Sequence, residues 1–227
     1  MRKKSFPHHP VIPANAGIQR HQPSWMSDQV GHDEGLNLKI LRQQICQQRK
    51  NLSPDTQADA ANKVANQLCN TEIFKNSQHI AAYFPINGEL DPTLLMGYAW
   101  QAGKICYFPV IAKNQQLLFA LYNEGDPLTR NRYGILEPYI EKNQIIAPQD
   151  LDIVITPLVA FDNKGNRLGM GSGYYDHTFA FLKQQTRPSK PYLIGIACEF
   201  QKVAELIPNS WDVRLDMVVT EAKIYAT

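Results

Sequence analysis

The chain lacks an excess of either charge. Its 227 residues carry 23 basic and 21 acidic side chains, so it is close to neutral. A balanced surface is a poor match for nucleic acid or an anionic membrane, and neither is expected as a partner. No apolar run is long enough to span a bilayer. Cysteine is sparse: Cys46, Cys69, Cys106 and Cys198 form no C-x-x-C and no Cys/His set at zinc spacing. They read as reduced thiols in a cytoplasmic protein. Histidine is sparse in the body of the chain, where only His79 and His177 occur. No Ser–His–Asp or Cys–His set is visible, which argues against covalent catalysis. Two phosphate loops are also missing, G-x-x-x-x-G-K-[ST] and G-x-G-x-x-G.

Residues 1–33 hold four of the six histidines, together with Pro7, Pro10, Pro13 and Pro23, and no apolar periodicity. They read as a disordered extension, with Met26 a candidate native start, ahead of a single domain over 34–227. Leu36 to Lys50 is periodic, with Leu36, Ile40, Leu41 and Ile45 on one side and Lys39, Arg42, Arg49 and Lys50 as a solvated basic face. Ser53-Pro54 starts a second helix. Ile80–Phe84, Ile105–Val110, Leu117–Tyr122, Leu151–Thr156, Tyr192–Cys198 and Met217–Thr220 read as strands, with a short helix ending near Ile207. Strands alternating with helices predict an α/β protein, a mostly parallel sheet covered on both faces.

What the chain does have is a glycine run, D-N-K-G-N-R-L-G-M-G-S-G-Y-Y-D, from Asp162 to Asp176. It lies between an apolar strand pattern and a helical one. Glycines let a ligand approach the backbone, and backbone N–H groups in such a loop can cradle an anion. Arg167 brings a forked cation suited to phosphate, and Asp176 a hard oxygen suited to magnesium. A glycine-rich turn with no ligand is the plain alternative.

The longer string from Val159 to Asp176, V-A-F-D-N-K-G-N-R-L-G-M-G-S-G-Y-Y-D, resembles the signature of the 5-formyltetrahydrofolate cyclo-ligase family. The resemblance extends over about residues 36 to 222. It implies a three-layer α/β/α fold like those of sugar-phosphate isomerases and CoA transferases. It implies a monomer that uses ATP and magnesium to cyclise 5-formyltetrahydrofolate to 5,10-methenyltetrahydrofolate. The formyl oxygen would take the γ-phosphoryl group, and a folate nitrogen would then displace phosphate. Arg167, Leu168, Gly169, Met170, Gly171, Ser172, Gly173, Tyr174 and Tyr175 would hold the nucleotide, with Lys39 and Arg42 from the first helix. Tyr174 or Tyr175 would sit by the formyl group. Phe84 and Glu89, in Y-F-P-I-N-G-E, would hold the pterin. Asp176 and Asp212 would place magnesium, with Trp211 standing where the family more often has histidine. Arg132, in R-N-R-Y-G-I-L-E-P, would border the site. A non-catalytic nucleotide or sugar-phosphate sensor on the same fold is the second reading.

Overall fold

The first helix, α1 (Ser24–Lys50), begins well before the Leu36 expected from periodicity. Residues 24–33, read as disordered, are therefore helical, and residues 1–23 lie outside the described residues. The structure, a computed structural model, describes residues 24–139 and 145–227, and only the helical backbone for 24–36. The chain divides into two units, residues 1–37 and 38–227. Within the second unit Ile45 is buried, Leu41 is half-buried and Ile40 is exposed, so the apolar stripe is narrower than the sequence suggested.

Helix α2 (Pro54–Cys69) starts as expected. The Ser53 hydroxyl accepts from Thr56 N at 3.1 Å, and Pro54 sits where its missing N–H is not needed. Thr71 does the same for the short α3 (Glu72–Lys75), accepting from Phe74 N. Next come β1 (His79–Ala81), α4 (Thr93–Gln101), β2 (Ile105–Ile111) and β3 (Leu117–Leu121). A hairpin of β4 (Leu128–Arg130) and β5 (Leu136–Pro138) follows, then β6 (Ile145–Ile146) and β7 (Ile153–Thr156). A ribbon of β8 (Ala160–Phe161) and β9 (Arg167–Leu168) leads to α5 (Tyr174–Thr178). The chain closes with β10 (Tyr192–Ile196), β11 (Met217–Val219) and β12 (Ile224–Ala226). The helix expected to run to Ile207 is a single 3₁₀ turn, Glu199–Gln201.

Eight strands form the main sheet in the order β12-β11-β10-β7-β1-β2-β3-β6. The five from β11 to β2 are parallel, and the outer three run antiparallel to their neighbours. Side chains alternate across the pleat. Ile80, Ile153, Ile155, Ile194 and Val219 face α2 and α4. Ala81, Val154, Leu193 and Val218 face Phe179 and Leu182, just after α5. The result is three layers, α/β/α. A third apolar cluster joins Ile45 of α1 to Ala160, Leu168 and Leu206. Cys106 and Cys198 are buried free thiols, and burial pushes each up to about 12. Among the described residues no helix is long and apolar enough to cross a membrane.

Gly165 turns the β8–β9 ribbon with φ +77°, and a Cβ there would stand 2.5 Å from Leu215 O. Gly165→Ala should therefore cost at least about 2 kcal/mol, combining left-handed strain with a backbone clash. Gly169→Ala meets nothing within 4 Å and should leave the urea midpoint near wild type. Equal midpoints for the two variants would refute this reading of the ribbon.

Candidate active site

The ribbon owes its shape to Asp162. This carboxylate is fully buried and accepts from Lys164 N, Asn166 N, Asn166 Nδ2 and Leu206 N. Burial opposes its charge, but these bonds outweigh it and hold the carboxyl below its usual range. The ribbon sets Arg167 and then the glycine loop. Gly171 and Gly173 have φ of +100° and +67°. A Cβ at Gly171 would meet open space, so glycine serves the backbone conformation and leaves room above the loop. Gly173 then opens α5, with no side-chain cap.

Arg167 points inward. Its side chain is 6% exposed, and Nη2 donates to Asp176 Oδ1 at 2.6 Å. Nη1 donates to Val213 O, and Val213 N donates back to Asp176 Oδ1 at 3.0 Å. Both terminal nitrogens are thus committed to the protein, where the sequence suggested a phosphate clamp. Arg42 of α1 is placed otherwise. Its Nε donates to Gly169 O at 2.8 Å, and its Nη groups make no protein hydrogen bond among the described residues. Lys39 is exposed and lies off the cavity, whose wall at that turn is Leu38.

That cavity has a volume of about 580 Å³. Arg42, Phe84, Glu89, Asp212 and the whole run from Arg167 to Asp176 line it. Leu168 contributes mainly backbone, because its side chain belongs to the third apolar cluster. Phe84 stacks on Phe108 with centroids 4.4 Å apart. Glu89 follows a tight turn in which Asn87 and Gly88 both have positive φ, as an Asn-Gly pair favours. Its Oε2 accepts from Ile86 N at 3.1 Å. Burial raises its pKa above the usual carboxylate value, while the Ile86 N–H and the charge of Arg49 act the other way. Burial also pushes the Tyr83 and Tyr175 hydroxyls up. Tyr174 is more open. Its hydroxyl takes a bond from Arg132 Nη2 at 3.1 Å and lies 3.2 Å from the Tyr133 hydroxyl. These bonds, Tyr133 first, lower it from the usual tyrosine value. Asp212 Oδ2 accepts from Asn209 N and Nδ2. Among the described residues no group of three or more His, Cys, Asp and Glu could hold a metal.

The family model described as the 5-formyltetrahydrofolate cyclo-ligase family matches residues 37–221. The chain belongs to that family. A cyclo-ligase of Haemophilus influenzae is 36% identical over 77% of this chain and 92% of its own. One from Escherichia coli is 35% identical over 80% of this chain and 98% of its own. A solved structure of Aquifex aeolicus 5,10-methenyltetrahydrofolate synthetase superposes with a TM-score of 0.71 at 30% identity. It covers 83% of this chain and 92% of that one.

Within this cyclo-ligase family member the sequence reading missed Arg49, which is buried. The signal was present. Arg49 continues the four-residue row Leu41, Ile45 and so shares the buried side of α1. Tyr133 was also passed over. It is presented to the cavity by Asn131, whose Oδ1 accepts from Tyr133 N and Ile135 N. Arg167→Ala should lower unfolding free energy by about 1–3 kcal/mol, because it leaves the half-buried Asp176 carboxylate and Val213 O without their donor. Asp176→Asn combined with Arg167→Ala should cost much less than the two single losses added. Additive losses in urea denaturation would show that the pair is not coupled.

Proposed function

We propose that this chain is a 5-formyltetrahydrofolate cyclo-ligase, closing 5-formyltetrahydrofolate to 5,10-methenyltetrahydrofolate while ATP is split to ADP and phosphate. The observation that carries this reading is one cavity bearing the glycine loop and Arg42 on one side and the half-buried Glu89 on another, in a chain of this family. ATP supplies the phosphoryl group that makes the formyl oxygen a competent leaving group. The protein's part is positioning and charge stabilisation. The Nη groups of Arg42 and the backbone of Gly169–Gly173 are proposed to hold phosphates. Arg167 is proposed to hold Asp176 in place.

Asp176 and Asp212 fit a magnesium shared with phosphate oxygens and water. Each has one oxygen bound by protein N–H groups, Oδ1 of Asp176 and Oδ2 of Asp212. The other oxygen of each takes no protein hydrogen bond among the described residues. Val213 N on Asp176 ties the two segments together. The ion would neutralise phosphate charge there. Phe84 offers an apolar wall for the pterin, and the Glu89 carboxylate can accept from its N–H edge. The Tyr174 hydroxyl is proposed to sit by the formyl group. A cytoplasmic monomer without nucleic-acid or membrane partners completes the proposal.

Incubation with ATP, magnesium and 5-formyltetrahydrofolate should produce methenyltetrahydrofolate absorbance, and excess EDTA should abolish it. ATP binding without any turnover would sink the enzyme reading. Arg42→Ala should raise the ATP KM by roughly tenfold, the effect of one charge-assisted contact. Glu89→Gln should raise the folate KM by at least roughly tenfold while the ATP KM stays near wild type. Because burial raises Glu89, the wild-type folate KM should rise as pH falls through that raised value. A flat pH profile for the folate KM would contradict a carboxylate role.

A further inference from the structure

The β4–β5 hairpin stands outside the main sheet and carries Arg132 and Tyr133 at its tip. A two-stranded ribbon of this size is marginal by itself, so its place depends on what moors it. Glu137 is that mooring. It is 7% exposed and belongs to no ion pair among the described residues. Its Oε1 accepts from Ile111 N at 2.9 Å and from Asn131 Nδ2 at 2.8 Å. A buried carboxylate without a cation is costly unless hydrogen bonds compensate it. The phosphoryl transfer proposed above does not use this one.

The bond to Ile111 ties the ribbon to the sheet. Strand β1 pairs with β2 only from Ile105 to Tyr107. Ala112 N donates to Gln116 O across the β2–β3 turn, so Ile111 N, one residue earlier, points to the opposite edge. There β1 has ended, and the Glu137 carboxylate serves as the acceptor. The bond to Asn131 sets the tip. Asn131 Oδ1 accepts from Tyr133 N at 2.9 Å and from Ile135 N at 3.1 Å. The Asn131 backbone closes the same loop, its N donating to Ile135 O and its O accepting from Gly134 N. At the far end Arg132 Nη2 donates to the Tyr174 hydroxyl at 3.1 Å, and the Tyr133 hydroxyl lies 3.2 Å from it. One line of hydrogen bonds thus runs from the sheet edge through Glu137 and Asn131 to the hairpin tip and Tyr174. Glu137, Asn131, Tyr133 and Tyr174 all line the cavity.

We propose that Glu137 is a positioning residue for the Tyr174 hydroxyl, locking the hairpin tip through Asn131 so that Arg132 and Tyr133 hold that hydroxyl at the cavity. Its effect on turnover rests on the proposed activity; the relay itself does not. Arg132 can only donate, so the Tyr174 oxygen accepts and its own proton stays available. A hydroxyl already held by a fixed donor needs no reorientation when the formyl oxygen arrives. What Glu137 supplies is one acceptor oxygen in a fixed place, shared by a sheet edge and a hairpin.

The test uses Glu137→Ala, which removes the acceptor, and Glu137→Gln, which keeps Oε1 for both donors. In the unliganded full-length protein, amide exchange at Tyr133 N and Ile135 N is followed by NMR. Glu137 bonds neither amide, yet Glu137→Ala should speed exchange at both by roughly tenfold, the loosening that follows loss of one anchoring hydrogen bond. Glu137→Gln should restore most of the protection. Unchanged exchange in Glu137→Ala overturns the relay. In turnover, Glu137→Ala should lower kcat for 5-formyltetrahydrofolate by roughly tenfold and leave the ATP KM near wild type. Glu137→Gln should recover most of that loss, and a Gln variant as slow as the Ala variant overturns the acceptor role. In a Tyr174→Phe background Glu137→Ala should add no further loss in kcat, and an additive loss overturns positioning through Tyr174. If Glu137→Ala unfolds, Asn131→Ala, which leaves Glu137 on Ile111 N, carries the kcat test, and a wild-type kcat there overturns the proposal. If the wild type turns over no folate, the enzyme reading fails while amide exchange still decides the relay.

Discussion

A part-buried ion pair joins the parts of this site. Arg167 leaves β9 and meets Asp176 in α5, and both reach the segment at Val213. Three stretches of chain, separate in sequence, are thereby fixed around one carboxylate oxygen. The arrangement fixes the orientation of Asp176, because a guanidinium and a backbone N–H bond the same oxygen. It leaves the glycine loop suspended between two fixed ends. The loop can therefore be open and glycine-rich without being without shape. Its conformation comes from its anchors rather than from its own side chains.

The opposite wall is built by different means. The Glu89 turn is short and left-handed at two residues, and it rests on the last turn of α1. Phe84 and the aromatic cluster of Phe108 and Tyr122 give it an apolar floor. The two walls therefore differ in character. One offers backbone N–H groups and the arginine fork of Arg42, which has no protein partner among the described residues. The other offers a half-buried carboxylate and an aromatic ring. A ligand with one polyanionic end and one flat, hydrogen-bonding end suits such a cavity.

The local signals in the sequence fared well where one physical cause dominates. Ser53-Pro54 capped α2 because the cap needs only its own side chain and the next turn. The apolar β-branched runs became the parallel strands because a strand buried on both faces has few other options. The signals fared less well where neighbours compete. The short β8–β9 ribbon is two residues a side, too brief for periodicity to mark. The stretch toward Ile207 kept only one 3₁₀ turn, and Ile207 ended exposed at the cavity rim.

The sequence by itself determined the family, the α/β class and the set of residues that gather at the cavity, because the glycine string and the strand pattern are local and specific. Tertiary structure decided what each charged residue does there. Arg42 and Arg167 both looked like phosphate clamps, yet among the described residues one keeps its fork free and the other spends it on Asp176 and Val213. Lys39 looked like a partner for Arg42 but projects elsewhere on the helix. Arg49 looked solvated and is buried beneath the Glu89 turn. A side chain's charge is written in the sequence. Whether that charge faces water, a ligand or another residue depends on which segments the fold brings against it.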